Sequence, residues 1–79
     1  MPEQAAQHLQ ETERRIARQI TRVSELEAAG CLAAARRARE VLGTLTDLRD
    51  ALRLRLHVAR RVADTQAKWA WLQRSLRER

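Results

Sequence analysis

Cys31 is the side chain of this sequence whose type and setting come nearest to reactive chemistry. It follows Gly30 and stands at or just before the start of a helix, where the helix dipole and free N–H groups stabilise a thiolate. Arg36 and Arg37 lie one turn further on and add positive field. Two readings remain open: a redox-sensitive or disulfide-linking thiol, or a small apolar residue packed under a turn, the ordinary fate of a free cysteine. As the one cysteine, it excludes an internal disulfide framework and any multi-cysteine metal site. His8 and His57 are lone histidines on helical stretches and read as surface or seam-edge residues rather than ligands. Asp47 and Asp50, three apart, find no further carboxylates for a metal and read as surface charges paired with Arg53. The sequence has no glycine-rich phosphate loop and no H-E-x-x-H pattern. Without an acid–base or nucleophile–base constellation, we expect no enzymatic activity, no metal and no cofactor.

Two further groups could bind rather than react. Arg36, Arg37, Arg39, Arg53, Arg55, Arg60 and Arg61 are candidates for contact with anions. The formal charge is +6, and it is uneven: residues 1–30 carry four arginines against five carboxylates, residues 31–60 seven against three, and residues 61–79 five bases against two. The excess therefore lies in the second half. Such a surface invites nucleic acid or another polyanion, yet these arginines scatter around a helix, and no aromatic residues are interleaved for single strands. A solvated face is the competing reading. The second group is Trp69, Trp71, Leu72 and Leu76, set among Lys68, Arg74 and Arg77. Trp69, Leu72 and Leu76 share one side of a helix, and Trp71 lies on another. An oligomer contact, fold-back packing, a foreign protein partner and a membrane interface are the occupants to weigh there.

These residues must be carried by helices. Ala, Leu, Arg, Glu and Gln dominate, Phe and Tyr are absent, and Pro2, Gly30 and Gly43 are the available punctuation. Pro2 and Glu3 suit a first helical turn. Leu9, Thr12, Ile16, Ile20, Val23 and Leu26 then recur every three or four residues, a narrow apolar stripe of the coiled-coil kind. Beside it, Glu11–Arg15 and Arg22–Glu25 can pair across a turn. Gly30 is the usual left-handed terminator, with Leu32 available for a hydrophobic contact beyond it. Ala35, Ala38, Leu42, Leu45, Leu48, Leu52, Leu56, Ala59 and Val62 repeat the pattern. A connection this short makes the two helices antiparallel.

We therefore expect an all-α fold in one domain: helix 1 over about 3–29, a turn at 30–31, and helix 2 over about 32–62. The seam of this hairpin is Leu9, Ile16, Ile20, Val23 and Leu26 against Leu42, Leu45, Leu48, Leu52 and Leu56. Gly43, followed by the cap-like Thr44-Leu45-Thr46-Asp47, could break helix 2, but the apolar phase runs through it. Residues 63–78 are either an extension of helix 2 or a third helix folded back near Asp64-Thr65. An extension would overhang helix 1 by some 30 Å at 1.5 Å per residue, and a second copy completing a helical bundle is its simplest cover.

From about Ala5 to Arg60 the pattern resembles a group of short bacterial proteins of unassigned function. The matching residues are His8-Leu9, the run Glu13-Arg14-Arg15-Ile16-Ala17-Arg18-Gln19, Leu26, Gly30, and then Leu42, Leu45 and Leu52. The resemblance implies a hairpin and supplies no activity. Where that group follows the glycine with a His-Asp-Thr type of cap, this chain has Cys31-Leu32-Ala33, which offers no good capping side chain.

The functional expectation is a structural or interaction module that self-associates and presents a helical surface to a protein partner. The alternative is a basic protein that binds nucleic-acid phosphates without sequence preference. The first residues show no apolar leader core, and the longest uncharged stretch, Ala28 to Ala35, is far below the ~20 residues that span a bilayer. A cytoplasmic location, with a membrane the less favoured partner, is the expectation that follows.

Overall fold

The computed structural model describes residues 2–78, which form two helices: α1 (Pro2–Ala28) and α2 (Leu32–Arg77). Among the described residues there is no strand and no third helix. The molecule is a rod of 74 × 15 × 14 Å, about the length of the 46-residue α2 at 1.5 Å per residue.

Gly30 makes the reversal, and its φ of +75° is the left-handed conformation that a side chain would resist. The Cys31 N–H donates to the Leu26 carbonyl at 2.9 Å and the Gly30 N–H to the Glu27 carbonyl at 3.0 Å. This pair of bonds is the Schellman closure of a helix C-terminus. Leu32 takes no part in it and is 72% exposed. Cys31 begins α2 with no side-chain cap, so the missing cap read from Cys31-Leu32-Ala33 is a feature of the fold.

Gly43 sits inside α2 with open space where a Cβ would be. The threonines after it bond backwards, Thr44 Oγ1 to the Glu40 carbonyl at 3.2 Å and Thr46 Oγ1 to the Gly43 carbonyl at 2.9 Å. Hydroxyls spent on the preceding turn cannot cap a new helix, so α2 continues unbroken. The two glycines should respond oppositely to alanine in urea or thermal unfolding. Gly43→Ala is expected to gain about 0.5–1 kcal/mol of stability, because alanine suits a helix interior. Gly30→Ala should lose about 1–2 kcal/mol, because a Cβ is strained at that φ.

The helices run antiparallel, and a strict seven-residue repeat sets their seam. In α1 the inner positions are Ala5, Leu9, Thr12, Ile16, Gln19, Val23 and Leu26; in α2 they are Ala35, Ala38, Leu42, Leu45, Arg49, Leu52, Leu56 and Ala59. All are buried or half-buried. Antiparallel pairing brings Leu26 opposite Ala35, Ile16 opposite Leu45 and Leu9 opposite Leu52. Grooves along the hairpin show the same register: Gln19, Arg22 and Leu26 line one with Ala34, Ala38 and Val41, and Ala5 and His8 another with Leu52 and Arg55.

Val62, expected to close the inward stripe of α2, lies beyond α1 and is 50% exposed, and two residues of the expected seam differ as well. Ile20 is 53% exposed and Leu48 37% exposed. Each lies one residue, hence about 100° around the helix, from the true inner position. Those positions hold Gln19 and Arg49. Gln19 Nε2 donates to the Ala38 carbonyl at 2.9 Å, a polar tie between the helices. Arg49 turns its guanidinium to Asp50 at 3.1 Å. Buried Thr12 satisfies its hydroxyl on the His8 carbonyl at 2.8 Å.

Candidate docking face

Outside the seam, the arginines of α2 divide by position. Arg39 pairs with Glu27, and Arg53 with Glu13 at 3.2 Å, so two of the candidate anion contacts clasp α1. Such exposed pairs stabilise by about 0–1 kcal/mol each. Arg36, Arg37, Arg55, Arg60 and Arg61 are exposed and fall on several sides of the helix. The expected Glu11–Arg15 pair forms at 2.9 Å. Arg22–Glu25 is not among the ion pairs of the described residues. Asp50 is held by Arg49 rather than Arg53.

No group of three or more His, Cys, Asp or Glu residues is gathered for a metal among the described residues. Cys31 is a free, exposed thiol at the turn, not a residue packed beneath it. His8 faces the groove beside Leu52 and Arg55, and His57 is exposed on α2. No helix among the described residues is long and apolar enough to cross a membrane.

What remains is apolar. α1 reaches no further along α2 than about Ala59, so residues 60–77 project some 27 Å beyond it at 1.5 Å per residue. Residues 60–74 are all exposed. Val58, Val62, Thr65, Trp69, Leu72 and Leu76 step by four and three residues and fall within ~80° of helix circumference at 100° per residue. Trp69 is 60% exposed, and Val58, Val62, Leu72 and Leu76 are exposed with it. Thr65 bonds its hydroxyl to the Arg61 carbonyl at 3.0 Å. Trp71 is exposed on a different side.

The same stripe continues back alongside α1. Val41, Thr44, Leu48 and Ala51 hold its repeat, and Arg55 is its one interruption. α2 thus carries two seven-residue stripes, one filled by α1 and one open, about 100° apart. The sequence reading caught Trp69, Leu72 and Leu76 but missed the stripe, because Leu48 was assigned inward. The signal was the alternation of three- and four-residue steps from Val41 to Leu76, apolar or threonine at every position but Arg55.

The chain matches no family model, no curated protein and no solved structure.

Proposed function

We propose that this chain is a non-enzymatic assembly module: a helical hairpin that self-associates through the open stripe of α2 and offers the resulting helical surface to a protein partner. The observation that carries the reading is the second stripe, above all Val62 to Leu76, where no part of α1 lies alongside. A row of exposed Val, Trp and Leu at coiled-coil spacing is costly to leave in water and marks a protein contact. Helices with two apolar seams at roughly right angles are the corner helices of bundles.

Light scattering coupled to size exclusion, on the full chain across a range of concentrations, tests it. The expected result is at least twice the monomer mass, reverting to monomer in Val62→Asp with Leu72→Asp while helical circular dichroism is retained. A wild-type chain that stays monomeric, or a variant that still associates, would overturn the reading. The phosphate-binding alternative has less support, since Arg39 and Arg53 are engaged by carboxylates and the free arginines form no single face.

A further inference from the structure

Resting on the self-association reading, we infer that the occupant of the open stripe is α2 of a second copy, lying antiparallel along its whole length with the two-fold axis at Leu54.

The edge of the stripe that faces away from α1 is formed by Glu40, Asp47, Leu54, Arg61, Lys68 and Ser75, one residue per seven. Its charges are ordered: two carboxylates, a leucine, then two cations. In antiparallel coiled coils the residues of one such edge meet their counterparts across the axis. With the axis at Leu54, Glu40 meets Lys68 of the second copy and Asp47 meets Arg61 of the second copy. Each pair occurs twice by symmetry. Leu54, exposed in the hairpin, meets itself.

Further features agree with this register. The midpoint of α2 (Leu32–Arg77) falls between Leu54 and Arg55, next to the charge centre, so each helix covers the other over nearly its whole length. The layers of the stripe are centred one residue away, at Arg53: Leu48 lies against Val58 of the second copy, Thr44 against Val62, Val41 against Thr65 and Leu72 against Ala34. Arg37 falls opposite Trp69 of the second copy, where a guanidinium over an indole face is favourable. The interruption, Arg55, falls opposite Ala51 of the second copy. That small residue leaves room for its methylenes while the charge reaches the edge.

Other pairings gain less. A parallel pair would set this charged edge against Leu45, Leu52, Ala59, Gln66 and Gln73, which carry no charge. The outer face of α1 offers Ile20 as its one large apolar side chain, too little to fill a stripe the length of α2.

Nitroxide distances decide the geometry. In a Cys31→Ser background, labels on Leu54→Cys should lie within about 20 Å of each other across the axis. Labels on Gly43→Cys should be separated by about 33 Å along the axis, from 22 residues at 1.5 Å each. A charge experiment covers the case in which a label disturbs the contact. Glu40→Lys with Asp47→Lys should weaken dimerisation about tenfold or more at low salt, and adding Arg61→Glu with Lys68→Glu should restore it. These four residues are exposed, so the hairpin tolerates the changes. A monomer throughout would overturn the self-association reading itself. A dimer with equally short distances at both positions, or one whose affinity the double reversal does not restore, would overturn the antiparallel register alone.

Discussion

Leu52→Ala should cost the hairpin about 2–5 kcal/mol, the range for emptying a buried leucine site. Leu52 is 4% exposed, and it faces α1 near that helix's first turns, beside Ala5 and His8. Its neighbours cannot collapse into the space without drawing the whole end of α1 inward. A single core of this size supplies at most about 3–5 kcal/mol in total. The substitution should therefore bring the chain close to its unfolding midpoint at room temperature. Thermal circular dichroism at fixed protein concentration should show a fall of 10 °C or more, at about 4–8 °C per kcal/mol for a chain of this length. Leu32→Ala is the internal comparison. Leu32 is in the same helix but 72% exposed, and its loss should stay within about 0.5 kcal/mol. Equal effects at the two positions would mean that the seam is placed wrongly.

The opposite sign is expected at Arg49. This arginine occupies an inner position of α2, opposite Thr12, and keeps its charge solvated by leaning toward Asp50. Arg49→Leu would continue the leucine series of Leu42, Leu45, Leu52 and Leu56 across the gap. Burying a leucine there should add about 1–2 kcal/mol, read as a rise of some 5–10 °C in the same thermal measurement. The change leaves no buried charge unpaired, because the Asp50 carboxylate is exposed to water. A fall in stability would show that the Arg49 methylenes already fill the site. Gln19 calls for different treatment although it too is an inner residue. Its bond to the Ala38 carbonyl fixes one helix against the other, the role a single polar seam residue best supports.

Most of the fold was readable from residue types. Gly30 as terminator, α1 with its narrow stripe and the continuity of α2 through Gly43 all follow from local preference and period. The errors at Ile20 and Leu48 share a cause. Assigning inward places by residue type favoured an isoleucine over Gln19 and a leucine over Arg49, although the seven-residue period selects the polar residue in each pair. Geometry outranks hydrophobicity at a single position, because a slip of one residue turns a side chain through about 100°. Displacing Leu48 inward also concealed the second stripe, of which it is a member. The pairs Arg39–Glu27 and Arg53–Glu13 lie beyond sequence reasoning altogether, since they depend on how far one helix slides along the other. That residues 63–78 extend α2 rather than fold back is likewise not fixed by residue types. Nothing at Asp64-Thr65 stops a helix, and the Thr65 hydroxyl is absorbed by its own preceding turn.

The reversal at Gly30 also bears on how the chain finds its structure. Leu26 and Ala35 meet across a loop of roughly ten residues, a closure that takes about 10–100 ns. Every later layer extends an arm already begun, so its ordering adds little loop entropy. The hairpin should close like a zipper from the turn outward, and its folding speed should be set by the residues around Gly30.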